Sequence, residues 1–216
     1  MLSVIIPAHN EEKYIENILK KISDDYNVIV VDDGSSDNTA KVAESFGFKT
    51  IRLKKNVGKG AACLEGLKHS DDDFCIFIDG DGQLNPKDIS NIANLLKEYD
   101  LVIGKRDMKK IPWQRRLSNK FARWCVNYLT GRNFSDVLCG LRGINKQKFK
   151  KLNLKKLDYY FESEMLLEAV KNNLSIIEVP VDVNYNVGSR MPFTKSIKIA
   201  FWLIMNVIKK SLRIYK

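Results

Sequence analysis

Residues Phe74–Pro86 read FCIFIDGDGQLNP. The apolar run Phe74–Ile78 passes directly into Asp79 and Asp81, separated by Gly80. Pro86 then opens PKDISNIANLLKEY (86–99), which places Ile89, Ile92, Leu95 and Leu96 along one helical face. A buried strand, an acidic glycine-rich turn and an amphipathic helix make up the repeating unit of an α/β sheet. In open sheets of this kind, ligands bind beyond the C-terminal ends of the strands, where this turn falls.

The same alternation extends outward on both sides. LSVIIP (2–7), NVIVV (27–31), KTIRL (49–53) and LVIG (101–104) read as strands, and EEKYIENILKKI (11–22), TAKVAESF (39–46) and KGAACLEGLKH (59–69) as helices. Continuous apolar strands between amphipathic helices predict a mostly parallel sheet with helices on both faces. Further on, PWQRRLSNKFARWCVNYLTG (112–131) is bounded by Pro and Gly, as a helix is. It strings Trp113, Leu117, Phe121, Trp124, Cys125, Tyr128 and Leu129 into one stripe, expected to pack in the core or to line a lipid-entry groove. A helix over 160–173, a strand over 175–183 and an apolar, lysine-bracketed helix over 195–216 complete the series.

With 216 residues, 44% hydrophobic and 29% charged, the chain fits one globular domain with a substantial core. Cys63, Cys75, Cys125 and Cys139 lack CxxC spacing and read as reduced core thiols, not as a disulfide or zinc set. The net charge of +10 is unevenly spread: residues 1–104 carry 12 Lys/Arg against 18 Asp/Glu, and residues 105–216 carry 24 against 8. The basic half is either solvated surface or faces something anionic. No apolar run approaches the roughly 18 residues of a spanning helix, and no signal-peptide pattern opens the chain.

Three strand ends carry polar loops: PAHNEE (7–12), DDGSSDNT (32–39) and DGDGQ (79–83). Each alone is an ordinary turn. A dinucleotide-binding GxGxxG is missing after the first strand, and Gly58-Lys59-Gly60 fails the P-loop pattern. An EF-hand starting at Asp79 fails because Leu84 and Ser90 stand at its sixth and twelfth positions. Asp79-Gly80-Asp81-Gly82 matches the Asp-x-Asp-Gly of haloacid-dehalogenase phosphatases, but here it follows the fourth strand and Gln83 comes next. The phosphatase stays open as a competing enzyme, and a nucleotide-sugar site is the other reading. A departing diphosphate needs its charge neutralised, Mg²⁺ or Mn²⁺ does this, and such hard cations prefer carboxylate oxygens.

The segments VIIPAHNEE, VVDDGSSDNT, NVGKGAA, IDGDGQ, GKRD, DVLCGLRGIN, FESEM and EVPVDVNYNVGSR occur in this order from Val4 to Arg190. Together the chain resembles glycosyltransferase family 2, and more narrowly the dolichyl-phosphate (polyprenyl-phosphate) mannosyl- and glucosyltransferases. The resemblance implies a GT-A-type nucleotide-diphospho-sugar transferase fold over 1–190, with 191–216 as a basic apolar C-terminal helix. It implies inverting, metal-dependent transfer of a hexose from GDP-mannose or UDP-glucose to a polyprenyl phosphate.

Carried over by position, the resemblance puts the nucleotide against Pro7, Ala8, Asn10, Glu11, Asp33 and Lys59. Asp79, Asp81 and Gln83 become the metal and diphosphate residues. Arg106, Arg115, Arg116, Ser118, Arg142 and Arg190 fall in the acceptor-phosphate region. Asp79, Asp81, Arg142 and Glu164 are the implied catalytic set. Competing readings stay open at this point: Asp32 or Asp33 caps its turn, Glu162 and Glu164 serve the helix dipole, and Arg115 and Arg116 lie on a solvated face.

A polyprenol substrate requires contact with a bilayer. The run IAFWLIMNVI (199–208) extends about 15 Å as a helix, too short to span. From Val183 to Lys216 there are seven basic residues and no acidic one, which suits attachment in the plane of an anionic surface, the alternative being a buried or dimer-forming C-terminal helix. The expectation is a cytoplasmic, peripheral membrane enzyme. The alternatives are the phosphatase and a non-enzymatic basic module for nucleic acid or lipid; no zinc-finger, RRM or KH signature supports nucleic acid.

Overall fold

A computed structural model describes residues 1–155, 158, 160–187 and 193–214. Among them, β1 (Leu2–Ala8), β2 (Asn27–Asp32), β3 (Lys49–Arg52), β4 (Phe74–Phe77), β5 (Leu101–Arg106), β6 (Arg142–Asn145) and β7 (Ile176–Val181) form one sheet, ordered β3-β2-β1-β4-β6-β5-β7. The helices are α1 (Glu12–Leu19), α2 (Thr39–Ser45), α3 (Lys59–Lys68), α4 (Ile89–Leu95), α5 (Trp113–Thr130), α6 (Lys146–Phe149), α7 (Phe161–Lys171) and α8 (Phe193–Ile214).

Strand periodicity sorts the core into two layers. Val4, Ile6, Val28, Val30, Ile76 and Ile78 point to one face, where Ile15, Ile18, Ala43, Ile89 and Ile92 of α1, α2 and α4 meet them. Ile5, Ile29, Val31, Cys75 and Phe77 point to the other, against residues of α3, α5, α6, α7 and α8. There the Phe77 ring meets Phe161 edge-on at 5.5 Å and lies 6.1 Å from Phe149. All four cysteines are free and buried, as their spacing led one to expect.

The sheet is mostly parallel, as expected, with one reversed strand. β6 runs antiparallel to both β4 and β5, while every other pairing is parallel. Arg-Gly-Ile-Asn carries no β-branched run, so the segment does not announce a strand. Tertiary pairing on both edges makes it one, and glycine is required at 143 because a Cβ there would overlap Ile92 Cγ2 at 2.5 Å and Leu96 Cδ1 at 2.7 Å. The reversal has a consequence for function. Arg142, the first residue of β6, pairs with Phe77, so the loop before β6 arrives at the same sheet end as Asp79.

The helical stripe on α5 also divides. Cys125 is buried and Phe121 and Leu129 pack against the core, but Leu117 is 72% exposed, Trp124 56%, and Tyr128 is exposed too. Ala122 and Val126 take the fully buried places instead. α5 ends at Gly131, which adopts φ 69° as a left-handed cap. α8 packs alongside α5, burying Ile199 and Leu203 while Ile197, Phe201, Ile204, Met205, Ile208 and Leu212 stay exposed. Lys210 Nζ ties the pair by donating to the carbonyls of Tyr128 at 2.8 Å and Leu129 at 3.1 Å. Among the described residues no helix is long and apolar enough to cross a membrane.

Candidate active site

The loops after β1 and β2 are bonded into one wall. The Asn10 amide, at φ 57°, donates to Ser35 Oγ, and Asn10 Oδ1 accepts from the Ser36 amide at 2.8 Å. The Glu11 amide donates to Thr39 Oγ1 at 2.8 Å. Asp32 Oδ1 accepts from the Ser35 amide, so Asp32 is the turn-capping residue of the pair. Asp33 acts at a distance along the chain: its two oxygens accept from the amides of Val57 at 2.7 Å and Gly58 at 2.9 Å. Both oxygens of Asp33 are thereby engaged in holding the backbone that leads into Lys59. Pro7 and Ala8 complete the wall at the end of β1, where Gly80 approaches them closely: a Cβ on Gly80 would lie 3.0 Å from the Pro7 carbonyl oxygen.

Asp79 stands at the centre. The Lys59 ammonium is ion-paired to Asp79 Oδ1 and to Glu162 Oε1. Burial alone would lower the pKa of that ammonium, but Asp79 and Glu162 outweigh it and hold it well above the ordinary value. On its other side Asp79 lies flat against Gly140, where a Cβ would overlap the carboxylate. Asp81 is pushed up to about 6, first by burial and then by the charge of Asp79. Gln83 donates its backbone amide to Asp81 Oδ1 at 3.0 Å and its side-chain amide to the Val187 carbonyl at 3.3 Å.

No group of three or more His, Cys, Asp or Glu among the described residues forms a ready metal cage. The chemistry of Asp79 and Asp81 nevertheless fits a hard divalent ion. Two carboxylates held close enough for one to resist ionisation are stabilised by a shared cation. Mg²⁺ in particular takes few protein ligands when a substrate phosphate supplies the others.

The arginines separate into engaged and available. Arg142 is 1% exposed, and its guanidinium donates to the carbonyls of Cys139 at 2.8 Å, Glu162 at 2.5 Å and Val137 at 2.7 Å. It pins the 137–139 loop to the start of α7, so direct contact with an acceptor phosphate is not what this geometry offers. Arg106 forms a two-pronged pair with buried Asp136, at 2.6 and 2.9 Å. Arg116 donates to the carbonyls of Ile111 at 2.7 Å and Lys109 at 2.5 Å. Arg115, half-buried on α5, is different. Burial and then Arg106 lower its pKa, while the Asp81 carboxylate raises it. Ser118 Oγ donates to the Arg115 carbonyl at 3.0 Å. Arg190 lies outside the described residues. A cleft of about 160 Å³ opens beside Asp136, lined by Arg116, Lys120 and Arg123 of α5 and by Val137 and Leu138.

The family model for "Glycosyl transferase family 2" matches residues 3–159. The chain belongs to glycosyl transferase family 2. A Methanococcus voltae relative named UDP-N-acetylglucosamine–dolichyl-phosphate N-acetylglucosaminyltransferase is 34% identical, covering 86% of this chain and 86% of its own. A Dictyostelium discoideum relative named dolichyl-phosphate beta-glucosyltransferase is 28% identical, over 92% of this chain and 71% of its own. Among solved structures, glucosyl-3-phosphoglycerate synthase from Mycobacterium tuberculosis, crystallised with Mn²⁺, UDP and glucosyl-3-phosphoglycerate, shares the fold with a TM-score of 0.78. That match is 21% identical and covers 97% of this chain and 79% of the other. The family's GT-A-type fold is thus present, and membership makes the chain a glycosyltransferase, displacing both the phosphatase and the non-enzymatic module.

Two residues at this candidate site escape a sequence reading that favours Glu164. Glu164 accepts from the Lys155 amide at 3.1 Å, holding the segment before α7. Glu162, two residues earlier, is the carboxylate that reaches Lys59. The helical offset between them was the available signal: the two point to different sides of α7, and only one side faces the sheet end. Gly140 is the second, for its role is defined wholly by the contact with Asp79.

Proposed function

We propose that this enzyme transfers a hexose or N-acetylhexosamine, with inversion, from a nucleotide sugar to a polyprenyl phosphate at a membrane surface. The observation that carries the reading is the acidic strand-end pair Asp79/Asp81, with Asp79 held between Lys59 and Gly140. The names of the archaeal and amoebal relatives supply the acceptor class. The donor is a UDP- or GDP-sugar; the archaeal relative favours UDP.

In this reading, Pro7, Ala8, Asn10 and Glu11 form the nucleotide wall, and Asp33 supports it through Val57 and Gly58. Asp79 and Asp81, with the amide oxygen of Gln83, hold Mg²⁺ or Mn²⁺, which when bound neutralises the leaving diphosphate. Arg115 orients the incoming phosphate, helped by Ser118, while Arg106, Arg116 and Arg142 keep the surrounding loops in place. A phosphate acceptor is already ionised near neutral pH, so the site needs in-line positioning more than a strong base. The cleft between α5 and Val137–Leu138 takes the first isoprene, with Lys120 and Arg123 at its rim. The exposed apolar face of α8 and α5 rests on the bilayer, with lysines such as Lys198 and Lys209 towards anionic headgroups.

The test is a transfer assay with UDP-glucose, UDP-N-acetylglucosamine and GDP-mannose against a short polyprenyl phosphate, with Mn²⁺, Mg²⁺ or EDTA. One donor is expected to give a lipid-linked sugar that EDTA and Asp79→Asn abolish. Transfer undiminished by EDTA would overturn the metal role, and transfer only to a water-soluble acceptor would overturn the lipid one.

A further inference from the structure

Asp79, a carboxylate that a divalent ion would use, is already in contact with a cation belonging to the chain. Lys59 bridges Asp79 Oδ1 and Glu162 Oε1, and its side chain is largely buried between them. Both ends of this bridge are fixed. The backbone before Lys59 is held by Asp33 through the Val57 and Gly58 amides. Glu162 sits in the first turn of α7, and its own carbonyl accepts from Arg142 at 2.5 Å. Asp79 cannot retreat, because Gly140 backs it. The mobile part of the arrangement is the lysine stem, whose rotatable bonds let the ammonium swing between two stationary carboxylates.

We propose that Lys59 is a resident counter-ion of the site, which neutralises Asp79 until a divalent cation binds and then withdraws onto Glu162. The inference rests on the metal-dependent reading above. Its physical basis is that two cations at contact distance from one carboxylate repel each other strongly, and a partly buried site screens that repulsion poorly. Glu162 is therefore a positioning residue: it gives the displaced ammonium a paired place to go, so that binding a metal does not strand a buried charge.

Two substitutions have opposite expected signs. Lys59→Met removes the competitor and should tighten Mn²⁺ binding about tenfold or more, measured by calorimetry on the full chain without nucleotide near pH 8. Glu162→Gln leaves the ammonium with Asp79 alone and should weaken Mn²⁺ by a similar factor. In the double variant the Glu162→Gln effect should largely vanish, because its route through Lys59 is gone. A purely structural lysine predicts weaker metal binding in Lys59→Met, and that result overturns the proposal. An undiminished Glu162→Gln effect in the double variant overturns the role given to Glu162. Should Lys59→Met fold poorly, the unsubstituted protein decides: the ¹⁵N resonance of the Lys59 ammonium should move on saturation with Mg²⁺, and an unmoved signal refutes the displacement. Absence of any Mn²⁺ binding to the parent protein removes the metal reading and this inference with it. Binding to the parent without gain in Lys59→Met removes this inference alone.

Discussion

At the C-terminal ends of β1, β2 and β4, most charged groups are bonded to another part of the chain: Asp33 to the amides before α3, Asp79 to Lys59, Lys59 to Glu162. On the outer face of α5 and α8 the reverse holds, and Leu117, Trp124, Phe201 and Leu212 stand in the open. The difference teaches where precision is required. A site that stabilises developing charge must hold its groups before the substrate arrives, because reorganising them during the reaction raises the barrier. On the proposed reading of this face as membrane-contacting, area and charge sign suffice, so its apolar side chains can remain exposed.

The sharpest way to break this comparison is at its most constrained residue. Asp79→Asn should lower transfer by about 10²–10³-fold or more while the fold persists, read as kcat at saturating donor. Gly140→Ala comes next, since the added methyl overlaps the Asp79 carboxylate. A displacement of about 1 Å at that position is expected to cost about 10²-fold. A Gly140→Ala enzyme with parental kcat would show that Asp79 is not preorganised as argued.

Proton competition sharpens the same side. The carboxyl of Asp81 ionises near 6 in the folded chain, above its unfolded value. An acid shifted in this direction costs the metal-free fold stability above that pH, and the cost is relieved as pH falls through about 6 towards the unfolded value. Metal binding needs the ionised form, so Mn²⁺ affinity should fall by up to about tenfold per pH unit below 6 and level off above it. A pH-independent affinity between about 5 and 8 would contradict the assignment of Asp81 as ligand.

The two arginines test engaged against available groups. Arg115→Met should raise KM for polyprenyl phosphate about tenfold with little change in melting temperature. Arg142→Met should instead remove the buried donor that three loop and helix carbonyls share and cost roughly 3 kcal/mol or more of stability. The smallest effect belongs to the helical face. Trp124→Glu with Phe201→Glu should reduce flotation with anionic liposomes several-fold and leave soluble nucleotide binding intact. Unchanged flotation would return α5 and α8 to the role of an ordinary exposed surface or a contact between copies.

The loops DDGSSDNT and DGDGQ were legible because their chemistry is local: carboxylates and glycines at strand ends leave a pattern that a short window can detect. The arginines were not legible in the same way. Arg106, Arg115, Arg116 and Arg142 are chemically alike along the chain, and only their partners distinguish a loop tie from a free cation. Likewise the stripe on α5 gave the right periodicity but not which of its residues the core would cover, since that depends on where α8 lies.

From the sequence alone came the alternating α/β architecture, the acidic strand-end site, the resemblance to its family and the reduced state of the cysteines. The architecture, the acidic loops and the cysteines follow from periodicity, residue chemistry or spacing within a few residues, and the resemblance from eight segments kept in order along the chain. Tertiary structure decided the rest: the antiparallel β6 between β4 and β5, the placing of Gly140 beneath Asp79, and the choice of Glu162 over Glu164 as partner of Lys59. These are contacts between segments far apart in the chain, and their energies exist only once the sheet has brought its ends together.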